Sequence, residues 1–428
     1  MSFTELMQSL YQTYLERSAN ARVTLLHARS RYRTALLSYI LLDEDRRVFY
    51  YALGSDDIDL LSFIAGVTHD LSEQFPAFGG NVNQAVARDP RDIDGILAAF
   101  VQDLNEHADR PYVVVLDEVD RAEVGDDLQI FIERLVDALP AEAHLVISSR
   151  SLPRLPWMAL IAQKKAVLLR DSELVAQNFY TSQADESARI SIQGFTPGNV
   201  LLDGKIVGEW EGHLPRLLFF FAMERPVVTR SEICAAFWPD LTTEQAVNVF
   251  HVTKRRLHKA LEGVSADILV HEDGYYRVNP DIRVHYDVVD FVSTLVDGRL
   301  SGDDHRRQMA AWQKAIDLYQ KPYLFGHNED WIVKRRAEYQ VGYLEALAGL
   351  ARGRAVEGRP ESALALLLKA IAEDNRRQDL HRDIMMLYAD MGRRSEAASH
   401  YQRLQDELSR AKLQLEPETA ELFSDLMS

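Results

Sequence analysis

Apolar runs at 22–26, 49–53, 112–117 and 144–148 punctuate the first third of the chain, and between them apolar residues recur every three or four positions. A short, wholly apolar run bounded by turn signals is a strand buried on both faces, whereas the 3.6-residue period is helical. Strands alternating with helices predict a parallel sheet with both faces covered. The pattern then changes: 188–195 alternates, and 200–207 reads as a hairpin about Asp203-Gly204. An apolar helix follows from about Leu214 to Met223. Next come two capping boxes, Thr229 with Glu232 and Thr242 with Gln245, the first opening a short helix closed by Pro239. Asp273-Gly274, between runs at 268–270 and 275–278, is a strong two-residue hairpin signal. From Tyr286 onward the period is helical throughout.

The helix from Thr242 to Gly263 faces two environments. Ala246, Phe250, Thr253, Leu257 and Leu261 fall on one stripe, which packs inward. Opposite lie Asn248, His251, Arg255 and Lys259, with Val252 and His258 at the edges and Lys254 and Arg256 on the flanks. This face is basic in a 428-residue chain with 48 Lys and Arg against 65 Asp and Glu, a net charge of -17. Charge against the global trend points to a polyanion, and the acidic balance requires any nucleic-acid contact to be focal. Helix, short helix, basic helix and hairpin in that order make a winged helix, whose last helix enters the major groove. On that reading Asn248, His251, Val252 and Arg255 lie over base edges, and Lys254, Arg256, His258 and Lys259 face phosphates, joined by Arg277 from the hairpin. Arginine pairs bidentately with guanine, and asparagine with adenine. His251 and His258 stand at i and i+7 with no third ligand, so no metal is expected. One of Tyr275 and Tyr276 is expected to pack the hairpin.

The run from Val113 to Glu118 resembles a Walker B segment, a buried strand delivering Asp117 toward magnesium and Glu118 toward an attacking water. The stretch that follows, with Ser149-Arg150 and then Pro153, resembles the ATPase domain of STAND-class regulators of the maltose-activator type. By that resemblance Arg150 sits beside the nucleotide phosphates. Where a phosphate-binding loop belongs, however, His27, Tyr32, Arg33 and Thr34 replace Gly, Gly, Lys and Thr. A tyrosine ring does not suit a backbone that must take positive φ against phosphate. The expectation is a degenerate module that does not hydrolyse ATP, with Asp117 and Glu118 retained as strand-end carboxylates paired with Arg29, Arg31 and Arg33. Under a second reading those arginines bed an anion such as a nucleotide bound without turnover, and in a nucleotide-switched ATPase Arg33 and Thr34 would still serve. After a last run at 167–170 a helix is expected to about Tyr180, which leaves no room for the lid and helical domains of STAND proteins.

Length calls for two to four domains. No segment approaches the roughly 18 consecutive apolar residues of a membrane span, and the first residues carry acids in place of a signal peptide's apolar core. A cytoplasmic protein with no membrane contact is expected. Cys234 is the sole cysteine, beside Phe237 and Trp238, which excludes a disulfide framework or a thiolate zinc site and reads as a buried small residue.

Gly358 and Gly392 open similar segments 34 residues apart, the tetratricopeptide period, with Ala363 and Ala397 where paired helices approach. The segment 188–285 resembles the DNA-binding half of the Streptomyces antibiotic regulatory protein family, carried by Gly194-Phe195, Asp203-Gly204, the 237–240 motif, the basic helix and Gly274-Tyr275-Tyr276. The remainder resembles the bacterial transcriptional activation domain of the same family, carried by 318–326, Trp331 with Arg335, and 413–423. The expected organisation is multidomain: a degenerate P-loop-like α/β module at 1–181, a linker at 182–187, a winged helix-turn-helix at 188–285 and an all-α tetratricopeptide-like domain at 286–428. The resemblance implies a non-enzymatic transcriptional regulator, an activator, binding double-stranded promoter repeats as a homodimer and contacting RNA polymerase, with no cofactor. The alternatives are a nucleotide-switched ATPase using ATP and magnesium, and a tetratricopeptide scaffold that no longer binds DNA.

Overall fold

The computed structural model describes residues 3–27, 33–122, 124–169, 189–264, 267–302 and 304–427. The helix expected to Tyr180, the linker at 182–187, and Arg29, Arg31 and Tyr32 lie outside them.

The first region alternates as the apolar pattern requires: α1 (Phe3–Ser18), β1 (Val23–His27), α2 (Arg33–Leu41), β2 (Arg47–Ala52), α3 (Leu60–Gln74), α4 (Gly80–Arg88) and α5 (Ile93–His107). Then follow β3 (Tyr112–Asp117), α6 (Asp126–Ala138), β4 (Ala143–Ser149), α7 (Trp157–Ala162) and β5 (Ala166–Leu169). The five strands are parallel, in the order β2-β3-β4-β1-β5. β3 shows why its sequence is apolar from Tyr112 to Leu116. Val113 and Val115 pack with Tyr14, Leu36 and Leu37 of α1 and α2, while Val114 and Leu116 join Phe63, Phe100 and Phe131 on the opposite face. His144 is buried within β4, its Nδ1 3.0 Å from the Ala21 carbonyl and its Nε2 2.8 Å from Thr24 Oγ1. Burial holds the ring neutral, lowering its pKa to about 4 against the opposing pull of the Ala21 carbonyl.

The second region opens with β6 (Ile190–Gln193), β7 (Asn199–Leu202) and β8 (Lys205–Ile206); β12 (Val284–Tyr286) returns parallel to β6, giving the order β12-β6-β7-β8. Between them lie an apolar helix Leu214–Met223, β9 (Val228–Thr229), a short helix Arg230–Phe237, the basic helix Thr243–Ala260, and the hairpin β10 (Leu269–Glu272) and β11 (Tyr275–Val278). Both turns hold positive φ at both central residues, Asp203 at 49° with Gly204 at 78°, and Asp273 at 50° with Gly274 at 84°. Asp tolerates that conformation and Gly takes it without strain, so the two Asp-Gly pairs fix the two hairpin registers.

The last region is helical: Asp287–Leu300, His305–Leu318, Asp330–Val356, Pro360–Glu373, Gln378–Asp390, Arg394–Ala411 and Pro417–Met427. Ala363 and Ala397 are buried at helix contacts. A buried polar cluster joins this region to the second. Glu224, at the end of the apolar helix, accepts from the hydroxyls of Tyr286 at 2.6 Å, Tyr323 at 3.1 Å and Tyr339 at 2.7 Å. Arg335 Nε lies 2.8 Å from the same carboxylate, although its N–H points off the hydrogen-bond line. Arg335 also donates to Glu338 at 2.6 Å.

Sequence left open whether the first region moves freely; the structure docks it. Every residue of α7 is buried, against Asp287–Leu300 and Asp330–Val356. Arg299 donates to the carbonyls of Ile161 and Ala162 at 2.6 and 3.0 Å and pairs with Glu345, which also holds Lys164. Arg225 bonds the Arg154 carbonyl at 2.7 Å and Glu133 at 2.8 Å. Arg154 reaches Asp126 and Glu232, each at 3.1 Å, and lies 5.2 Å over the Tyr275 ring.

Candidate nucleic-acid interface

The basic helix starts where its capping box places it. Thr242 Oγ1 accepts the Gln245 N–H and Gln245 Oε1 accepts the Thr242 N–H, satisfying two amide donors at the helix start. Ala246, Phe250, Thr253, Leu257 and Leu261 are all buried, as the stripe predicted. Phe250 meets Tyr276 of the hairpin edge-on at 5.0 Å, so one aromatic pair fixes the angle between helix and hairpin.

This packing leaves Asn248, His251, Val252, Arg255, Arg256 and Lys259 exposed. Arg255 makes no ion pair among the described residues. Arg256 and Lys259 do: both reach Glu211, at 3.2 and 2.7 Å, from the loop before the apolar helix. That cation pair lowers the Glu211 pKa, chiefly through the hydrogen bond from Lys259. His251, Arg255, His258 and Lys259, with Lys254 and Asp267, line a shallow cleft of about 570 Å³.

The other three residues assigned to phosphate are engaged within the domain as well. His258 accepts the Leu269 N–H at 3.2 Å and lies 3.6 Å from Asp267, tying helix to hairpin. Lys254 is half-buried with its ammonium 5.3 Å over the Tyr276 ring, and burial lowers its pKa. Arg277 pairs with Glu272 across the hairpin. The sequence pattern missed these because it resolves the side of a helix but not what folds against it. Glu211 and Arg154 left no sequence signal, since their partners are remote in the chain, and Asp267 meets His258 only where the connection to the hairpin folds back on the helix. Tyr276 packs the hairpin as one tyrosine was expected to, and Tyr275 is covered by Arg154.

The strand-end carboxylates gather at the carboxyl edge of the parallel sheet, with other partners than expected. Asp117 accepts from Tyr50 Oη at 3.0 Å and from the Glu118 N–H at 2.8 Å; burial and that carboxylate push the Tyr50 pKa to about 12. Glu118, at a φ of 53°, pairs with Arg121. The predicted pairing with Arg33 is therefore corrected: a tyrosine and a nearer arginine occupy these carboxylates. Arg33 is half-buried with its Nη1 unpartnered among the described residues, and Thr34 is exposed. Arg150 donates from its N–H and Nε to Asp120, at 2.6 and 2.7 Å, with its side chain 65% exposed. Among the described residues no cluster of three or more His, Cys, Asp or Glu has the geometry of a metal site. Among the described residues no helix is long and apolar enough to cross a membrane. Cys234 is half-buried.

A STAND protein with a tetratricopeptide repeat sensor from Pyrococcus horikoshii aligns at 10% identity and a TM-score of 0.27, covering 94% of this chain and 64% of that one. This chain thus spans less than two thirds of that neighbour. The Drosophila ORC structure bound to AT-rich DNA and Cdc6 aligns at 9% identity and a TM-score of 0.26, over 67% of this chain and 91% of that one. At those scores neither likeness transfers a feature. Curated proteins gave no match. The family described as bacterial transcriptional activator domain matches residues 286–426. Over those residues, its third region, this chain is similar to that family.

Proposed function

We propose that this protein is a sequence-specific DNA-binding transcriptional activator of the Streptomyces antibiotic regulatory type. The second region is its winged helix, with Thr243–Ala260 in the major groove. The observation that carries the reading is an exposed basic face, His251, Arg255, Arg256 and Lys259, joined through the Glu224 cluster to a bacterial transcriptional activator domain. Asn248, His251, Val252 and Arg255 read base edges. Arg256 and Lys259 take phosphates, exchanging Glu211 for the DNA backbone; His258, Lys254 and Arg277 hold the hairpin at its angle. The tetratricopeptide-like helices contact RNA polymerase, and a homodimer occupies repeated half-sites. The first region is a docked, non-hydrolysing module, since His27, Tyr32, Arg33 and Thr34 stand where a phosphate-binding loop needs Gly, Gly, Lys and Thr.

Selection of bound duplexes from a random pool by the full chain tests this. A shared motif should emerge, and Arg255→Ala should cost about 1–3 kcal/mol and relax one position of it. A folded protein that enriches no motif would move weight to a scaffold role. Magnesium-dependent ATP turnover lost in Asp117→Ala would instead favour the nucleotide-switched alternative.

A further inference from the structure

A cavity of about 400 Å³ lies at the amino-terminal edge of the parallel sheet, between the end of α1, the start of β5 and the helix Asp287–Leu300. It is not the edge that carries Asp117 and Arg150, which stand at the carboxyl ends of β3 and β4. Its size falls within the roughly 300–1,000 Å³ of small-molecule sites. Three cations line it: Arg17, Lys164 and Arg299. Lys164 and Arg299 share the carboxylate of Glu345 and are tied into the domain interface. Arg17 is different, because among the described residues it has no ion pair or hydrogen bond, yet it is removed from water far enough to lower its pKa. The carbonyl end of α1, in whose last turn it lies, is the compensation at hand, and a helix terminus supplies only a fraction of a counter-charge. Glu16 is the one carboxylate in the lining and is exposed. Beside Arg17 the wall is apolar, with Val167, Val296 and Leu300, the last 51% exposed at the rim.

A desolvated cation without a partner next to an apolar wall is the arrangement that recognises an organic anion, the guanidinium taking the acid group in a charge-assisted pair. We propose that this cavity binds a small amphiphilic organic anion, its acid group on Arg17 and its apolar body against Val296 and Leu300. Such a ligand touches both the first region and the activator domain, so it strengthens their docking. Neither point depends on DNA binding.

Titration of the full chain with 1-anilinonaphthalene-8-sulfonate, read by fluorescence, tests the site. One saturable site per chain is expected, displaced by octanoate and not by octanol. Arg17→Met should weaken binding roughly ten- to a hundredfold through the lost charge-assisted contact. It should not lower Tm, because it removes an unpaired, partly desolvated charge. Leu300→Glu, at a half-exposed position, should also weaken binding by placing a carboxylate where the ligand's apolar body packs. Arg150→Ala, at the opposite edge, should leave it unchanged. Equal affinity in wild type and Arg17→Met, displacement by octanol as readily as by octanoate, or a marked fall in Tm for Arg17→Met would each overturn the proposal. The last would mean that Arg17 serves the fold.

Discussion

Arg154 is the point at which the first region grips the DNA-binding candidate, and Arg154→Ala tests how firmly. Its guanidinium, 7% exposed, bonds Asp126 and Glu232 at 3.1 Å each and the Val124 carbonyl at 2.8 Å. Glu232 is also the carboxylate that closes the capping box of the short helix, accepting the Thr229 N–H at 2.7 Å. Removing one partner of a well-buried pair costs about 3–5 kcal/mol, much of it from the charge left behind. Asp126 moderates this, since it is 32% exposed and keeps two contacts from the Thr229 hydroxyl. Glu232, at 15% exposure, carries most of the penalty. The stacking over Tyr275 adds roughly 0.5–2 kcal/mol. A net loss of about 3 kcal/mol is expected, which raises the undocked population roughly a hundredfold. Hydrogen exchange by mass spectrometry reads this locally, where a global melt of a multidomain chain does not. Peptides covering 228–238 and 273–278 should exchange faster, while those from β3 and β4 stay protected. A double-mutant cycle with Glu232→Gln should return a coupling above about 0.5 kcal/mol. Unchanged exchange in both peptides, or strict additivity, would refute the view that Arg154 pins the two regions.

The other predictions address the joint, the fold's acid limit and the basic face. Arg335→Met leaves Glu224 buried with only tyrosine hydroxyls and should cost about 3–5 kcal/mol, measured as faster exchange around Tyr339; a loss below 1 kcal/mol would show that the three hydroxyls suffice. His144 and His400 are buried and their pKa values fall to about 4, chiefly through burial, against about 6.5 in the unfolded chain. The unfolded state therefore binds more protons between those values, so their contribution is complete above about pH 6.5 and falls by about 3 kcal/mol each as pH drops to 4. Urea midpoints across that range should fall with pH, and less steeply in His144→Gln; parallel slopes would contradict the assignment. Glu211→Gln releases Arg256 and Lys259 for phosphate and should tighten duplex binding and steepen its salt dependence, whereas weaker binding would mean that Glu211 holds those side chains in their working positions.

Much of the local architecture was legible in the chain itself because its causes are local. Apolar runs at strand length, capping boxes at Thr229 and Thr242, and the two Asp-Gly turns depend on backbone stereochemistry and on spacings of two to four residues. They appear where the pattern placed them, and strand ends moved by a residue or two. The buried stripe of the basic helix was legible for the same reason, since period alone decides which side faces inward. Which exposed cations remain available was not legible. Glu211, Asp267 and Tyr276 are brought to Lys259, His258 and Lys254 by chain folding over separations that leave no periodic trace. The same holds for Tyr50 against Asp117, Arg154 against Glu232, and Arg17 in one cavity with Val296 and Leu300. Sequence determined the elements and their inward faces; tertiary structure decided which charges were neutralised, which were exposed and which regions were docked, because those depend on distances between residues far apart in the chain.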